Sequence, residues 1–157
     1  PHTNVLTSVL MFIGGASASV AGGLKVNTLA IILLSVIALV RGRNNVSAFG
    51  RELPASLVQR AMVLGTVSIA FMFFVVLLLT ISESTAGLNE ILFEAASAFG
   101  TVGLSIGLTP NLSVMGEWII IVTMFIGKLG PLTIGLTMAQ RSERDLYRYP
   151  QERVTIG

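Results

Sequence analysis

Asn89-Glu90-Ile91-Leu92-Phe93-Glu94-Ala95-Ala96-Ser97-Ala98-Phe99-Gly100-Thr101-Val102-Gly103-Leu104-Ser105 lies between two long apolar tracts and is itself too short to cross a bilayer. Leu88, Ile91, Leu92, Ala95 and Phe99 recur at helical spacing while Glu90 and Glu94 share another face. Residues 88–99 therefore read as a one-sided helix of about 18 Å, roughly half of a ~30 Å hydrocarbon core. A segment of that length is expected to be re-entrant or interfacial. The glycines that follow, Gly100, Gly103 and Gly107, suit a backbone that turns back along an extended or irregular path. Such backbone persists at membrane depth only where it is buried in protein or lines a wet cavity. A glycine-rich extracellular loop between two helices is the competing interpretation of the same string.

Composition sets the solvent. Hydrophobic residues make up 53% of the chain and charged residues 11%, and the mean hydropathy is +0.83, which places it in the membrane class. A formal charge of +2, segregated by region rather than gathered on a basic face, argues against a nucleic-acid binder. No cysteine is present, which excludes disulfides, thiolate metal sites and cysteine nucleophiles. The single histidine, His2, has no neighbouring His or carboxylate cluster with which to form a metal or triad site, so an enzyme is not expected. The chain opens on Pro1-His2-Thr3-Asn4 without an initiator Met or the basic start of a signal peptide, and reads as a piece of a longer polypeptide.

Val5 to Val40 is one apolar tract of about 36 residues, which as a single helix would run about 54 Å. It must break, and the natural place is Gly14-Gly15-Ala16-Ser17-Ala18-Ser19-Val20-Ala21-Gly22-Gly23, whose small side chains disfavour helix continuity. A polar connection carrying Arg41, Arg43, Arg51 and Arg60 follows, then an uncharged run from Ala61 to Ser82 long enough to span. The only charges from 83 to 117 are Glu83, Glu90, Glu94 and Glu117, whereas the tail after the last apolar segment holds Arg141, Arg144, Arg148 and Arg153. The positive-inside rule then places 41–60 and 141–157 in the cytoplasm and 83–117 outside.

A dehydrated monovalent cation suits a run of stacked carbonyls, which replace its hydration shell. Potassium-channel filters read Thr-Val-Gly-Tyr-Gly, and the corresponding string here is Thr101-Val102-Gly103-Leu104-Ser105. The short helix directs its partially negative C-terminal end toward the same place. Met11-Phe12-Ile13-Gly14 recurs as Met124-Phe125-Ile126-Gly127, each before a glycine or glycine-proline break, which points to an internal repeat. Lys128 lies within the last apolar segment, too far from its ends to snorkel, and is read as facing a pore. Lys25, at the edge of the break, would serve a cavity or an interhelical contact equally. Glu90 and Glu94 are read as a solvated helix face, with a role in concentrating cations at an outer mouth as the alternative.

Taken jointly, Phe99 to Ser105, Met124-Phe125-Ile126-Gly127-Lys128-Leu129-Gly130-Pro131-Leu132-Thr133 and Gly14-Gly15 through Gly22-Gly23-Leu24-Lys25-Val26 resemble the C-terminal portion of the Trk/Ktr/HKT potassium transporters, most closely the membrane subunit of bacterial Ktr systems. The resemblance covers essentially the whole chain. It implies an all-α membrane fold of potassium-channel-like repeats, each a transmembrane helix, a re-entrant pore helix with an extended filter loop, and a second transmembrane helix. Residues 1–40 would be the final, loop-interrupted helix of the third repeat and 41–60 a cytoplasmic connection. The fourth repeat would cover 61–140, with outer helix 61–82, pore helix 88–99, filter 100–107 and inner helix 117–140, followed by a cytoplasmic tail 141–157. By the same resemblance, Thr101, Val102, Gly103 and Leu104 form a filter segment, with potassium held by the carbonyls of Thr101, Val102 and Gly103. Gly14 to Gly23 would be an intramembrane gate loop, and Lys128 would match a basic residue beside it. The rest of the polypeptide, a second copy in a homodimer, and a cytosolic nucleotide-binding ring are the implied partners; ATP and ADP act only on that ring, and sodium often assists uptake. The ending Val154-Thr155-Ile156-Gly157 is similar to that of Ktr subunits, so Gly157 is expected to be a true C terminus. Leu104 stands where potassium channels carry tyrosine, which leaves the strictness of potassium over sodium open. The function so implied is channel-like potassium uptake across the cell membrane. An alternating-access carrier, which also uses broken helices, and a non-transporting assembly subunit whose glycines are packing devices are the rivals.

Overall fold

The computed structural model describes residues 2–16, 21–42, 46–48 and 51–130. Ser17, Ala18, Ser19 and Val20 of the expected gate loop lie outside the described residues, as do 131–140 of the expected inner helix and the expected cytoplasmic tail 141–157. The described residues are mostly helical: α1 (His2–Phe12), α2 (Val26–Val40), a hairpin of β1 (Ser47–Ala48) and β2 (Arg51–Glu52), α3 (Ala55–Ser82), α4 (Leu88–Gly100) and α5 (Val114–Leu129). The hairpin strands are antiparallel, with Ser47 opposite Glu52 and Ala48 opposite Arg51.

The long N-terminal tract divides at its glycines. α1 stops at Phe12, and the chain leaves and then returns so that Ile13 and Leu24 form a parallel bridge. Gly14 N–H donates to Leu24 O at 2.7 Å, Leu24 N–H to Phe12 O at 3.1 Å, and Val26 N–H to Gly15 O at 3.3 Å. These bonds satisfy backbone groups that the helix break would otherwise orphan. A methyl at Gly14 would collide with the Gly22 carbonyl, so the two strands of the break approach this closely only without a Cβ. Gly22 and Gly23 are buried, and Gly23 takes φ +79°.

α3 has 28 residues, about 42 Å of helix. Among the described residues it is the one helix long and apolar enough to cross a membrane. It starts at Ala55, six residues before the expected outer helix, because Pro54 supplies a fixed φ at the cap and Ala55 and Ser56 add no breaker. Phe73 (70% exposed) and Ile81 (71%) lie on a face of α3 that no described residue covers. α2 packs on α3 where Gly65 admits the Ile32 side chain.

The shorter α4 occupies the centre. Phe93 through Gly100 are all buried, and α1, α3 and α5 pack around them. Val75, Leu79, Ile91, Ala95, Ala98, Leu108 and Ile120 form the main cluster on one side; Met11, Phe93 and Ala96 form a second on another. The small residues Ala95-Ala96-Ser97-Ala98 let the neighbouring helices close in from several directions. α2, α3 and α5 are more apolar than the central helix and expose that apolar surface, the reverse of a water-soluble domain.

Glu83 joins the end of α3 to the start of α5. Its Oε1 accepts from Ser113 Oγ at 2.5 Å, from Ser113 N–H at 3.0 Å and from Ser82 Oγ at 3.1 Å. Ser113 is the N-cap of α5 and its Oγ accepts from Gly116 N–H at 3.1 Å. The hydrogen bond from the Ser113 hydroxyl lowers the Glu83 pKa, with burial opposing and the Ser113 N–H and Ser82 hydroxyl adding to it. A lowered folded-state pKa gives stability that is complete above the unfolded carboxylate value and is lost as pH falls through the folded one. The stabilisation of wild type over Glu83→Gln is therefore expected at neutral pH and to vanish as pH falls below the ordinary carboxylate range. Thermal unfolding of the detergent-solubilised full-length protein checks this; a difference that stays constant with pH would count against the Glu83 link.

Candidate functional site

α4 ends in a Schellman turn. Thr101 N–H donates to Ala98 O at 3.1 Å and Val102 N–H to Ser97 O at 3.0 Å, with Thr101 in the left-handed region at φ 54°, ψ 38°. Glycine usually fills that position, and a β-branched residue there carries a conformational cost of roughly 1–2 kcal/mol. Thr101 is the one non-glycine residue with positive φ among the described residues. Its hydroxyl has a use that glycine cannot supply: Oγ1 accepts the Gly22 N–H at 3.0 Å. The first residue of the expected filter is thus tied to the expected gate loop across 79 positions of sequence.

Beyond Thr101 the backbone is irregular. Val102, Gly103, Leu104 and Ser105 are exposed, and Gly103 takes φ +80°. Among the described residues, no hydrogen bond is donated to the carbonyls of Thr101, Val102, Gly103 or Leu104. A backbone run of four unclaimed acceptors at the negative end of a buried helix suits a cation or water.

Three glycines let backbone meet backbone at this helix end. A methyl at Gly100 would collide with the Met11 carbonyl, and one at Gly127 with the Phe99 carbonyl. At Gly22 it would stand 2.8 Å from Phe99 O, 2.9 Å from Thr101 Cγ2 and 3.0 Å from Gly127 O. The Phe12 ring stacks on Phe99 with centroids 5.4 Å apart. Both copies of Met-Phe-Ile-Gly therefore sit against the end of α4, one through Met11 and Phe12, the other through Gly127.

Lys128 follows Gly127 in the last turn of α5 and is exposed. α5 begins at Val114, three residues before the expected inner helix, and ends at Leu129, where Gly130 at φ +76° turns the chain ahead of Pro131. Lys128 thus stands at a helix terminus one residue past the contact of α5 with α4, not in mid-helix. Lys25 Nζ donates to Ala21 O at 2.6 Å, within the break itself.

The loop returns to the protein at Leu108, which is buried, and at Thr109, whose hydroxyl donates to Glu94 Oε1. Glu94 is 5% exposed, which corrects its assignment to a solvated face. α4 is enclosed on nearly every side, so a face that is polar in sequence need not meet solvent. Glu90 remains exposed and accepts the Gly87 N–H at 3.1 Å, capping α4. An apolar cavity of about 370 Å³ between α1, α3 and α4, bordered by Val9, Phe12, Met72, Phe73 and Ala96, lies apart from the four free carbonyls and offers a cation little.

The sequence matches the TrkH family, cation transport proteins, over residues 1–148. The chain belongs to the TrkH family. The Ktr system potassium uptake protein B of Bacillus subtilis is 44% identical over 99% of this chain and 34% of its own length. The potassium/sodium uptake protein NtpJ of Enterococcus hirae is 41% identical over 98% of this chain and 35% of its own. The Ktr protein B of Vibrio alginolyticus is 39% identical over 95% and 32%. The chain spans about a third of the length of these TrkH-family relatives. They are named as ion transporters, not enzymes, in agreement with the family expected from the motifs.

Sequence reasoning missed the Thr101 to Gly22 bond, the burial of Glu94 and the Glu83 link. The run Ala95-Ala96-Ser97-Ala98 was the available signal for the second, since so many small residues in one helix indicate crowding on all sides. The other two join residues far apart in sequence and left no local pattern.

Proposed function

We propose that this chain supplies one filter segment, its intramembrane gate loop and the helices that hold them to a channel-like potassium uptake protein of the cell membrane. The observation that carries the reading is the run of free carbonyls from Thr101 to Leu104, set at the end of a buried half-span helix and tied to Gly22 through the Thr101 hydroxyl. α4 acts as the pore helix, and Thr101, Val102 and Gly103 replace water around potassium, with sodium as a second cation. Gly14 to Gly23 forms the gate loop under that filter. Lys128, adjoining the Gly127 contact, places a positive charge near the gate and raises the barrier to cation passage. The upstream repeats of the same polypeptide complete the pore, a second copy forms a dimer, and a cytosolic nucleotide-binding ring responds to ATP and ADP. The names of the Ktr and NtpJ relatives support potassium, and for one of them sodium, as the transported ion.

Rubidium uptake by vesicles holding the full-length protein tests this. Conduction through a pore should show block by larger monovalent cations and little saturation, whereas strict saturation without block would favour an alternating-access carrier. In the same vesicles Lys128→Gln is expected to raise or deregulate flux by several-fold; flux identical to wild type would remove Lys128 from the conduction path.

A further inference from the structure

Glu94 sits on α4 seven residues before Thr101, about 10 Å back along the helix axis. With Glu83 it is one of two carboxyl side chains buried among the described residues, at 5% exposure. Its Oε1 accepts the Thr109 hydroxyl, and its Oε2 has no hydrogen-bond partner among the described residues. A carboxyl group buried with one oxygen unclaimed is costly, so the one contact it makes among the described residues carries its structural effect. That contact is with the far end of the candidate filter loop. Thr109 opens a 3-10 turn that continues through Pro110 to Asn111, and Leu108 beside it is buried in the same cluster as Ile91, Ala95 and Ala98 of α4. Asn111 Nδ2 donates to Gly107 O at 3.1 Å, and Gly107 N–H to Ser105 Oγ at 3.2 Å, so the returning limb is braced on itself as well. The loop is thus held at two ends: by Thr101, through the helix turn and Gly22, and by Leu108 and Thr109, on the flank of α4. Between them Val102, Gly103 and Leu104 are exposed, and among the described residues no atom lies within 4 Å of the place of a Gly103 side chain. Where those carbonyls point is then set chiefly by where the two ends are held.

We propose that Glu94 is a positioning residue for ion selection, which through Thr109 holds the returning limb of the loop and so fixes the direction of the Thr101 to Leu104 carbonyls. This rests on the assignment of that stretch as a filter segment. The test is the ratio of rubidium to sodium uptake by full-length protein in vesicles for Glu94→Ala, Glu94→Gln, Thr109→Val and Thr109→Ser, with Gly103→Ser alongside. Glu94→Ala and Thr109→Val are expected to lower the ratio by about tenfold, the scale of losing one buried hydrogen bond. Glu94→Gln, which keeps an acceptor, and Thr109→Ser, which keeps the hydroxyl, should retain most of it. The Glu94→Ala, Thr109→Val double variant should be no worse than the poorer single variant. If Glu94→Ala does not assemble, Thr109→Val carries the test, since Thr109 is exposed and its replacement is isosteric. Uptake of both ions falling in parallel at an unchanged ratio would reduce the pair to a structural brace and overturn the proposal. An unchanged ratio in these variants with a changed one in Gly103→Ser overturns it while leaving the filter assignment standing. An unchanged ratio in Gly103→Ser as well would overturn both.

Discussion

Gly127→Ala is expected to disable the protein at its point of closest backbone contact. The added methyl would lie against Phe99 C at 2.9 Å and Phe99 Cα at 3.0 Å, and closer still to the Phe99 carbonyl oxygen. These are backbone atoms of a fully buried residue, so no rotamer change relieves the collision. α5 must move away from the end of α4, and because Gly22 lies against both Gly127 and Phe99, the loop break moves with it. Overpacking of this kind costs about 1–3 kcal/mol, and here it also disturbs the place where Thr101 meets Gly22. Uptake is expected to fall by more than tenfold, with a lower unfolding temperature of the full-length protein. Wild-type flux and unfolding in this variant would show that α5 does not pack on α4 as described.

Gly103→Ser is expected to act in the opposite manner, on ion choice rather than on folding. Among the described residues a side chain at Gly103 meets nothing within 4 Å, so none of them opposes it sterically. The backbone at φ +80° is the difficulty, since an L residue pays roughly 1–2 kcal/mol to hold the left-handed region. The inexpensive escape is rotation of the flanking peptide planes, which redirects the Val102 and Gly103 carbonyls. Protein level and melting should stay near wild type while discrimination between rubidium and sodium falls by about tenfold. An unchanged preference with normal uptake would mean that these carbonyls do not select the ion, and a subunit that served only assembly would show the same indifference.

The short helix at 88–100, the break in the N-terminal tract and the spanning run near 61–82 were legible because each is written in a local pattern: a helical period, a cluster of glycines, an unbroken apolar length. Boundaries shifted where caps decide them, as with Pro54 before α3 and Ser113 before α5. The candidate site was legible as a string but not as an arrangement. Nothing in Phe99 to Ser105 alone indicates that Thr101 would accept a left-handed conformation in order to receive the Gly22 N–H. Glu94 was misplaced for a related reason: helical spacing distinguishes faces of a helix, but it does not say how many of those faces are covered.

By itself the sequence determined the apolar character of the chain, the presence of a short helix followed by glycine-rich backbone, and, through its motifs, membership of the TrkH family. Those properties follow from composition and short-range spacing, which act on each segment independently. Only the tertiary structure decided that Met11, Gly22 and Gly127, from distant segments, converge on the last turn of α4, and that Glu94 turns inward to hold Thr109. Such contacts depend on how closely backbones can approach and which polar groups remain unpaired when they do, and both are settled only when the helices are packed together.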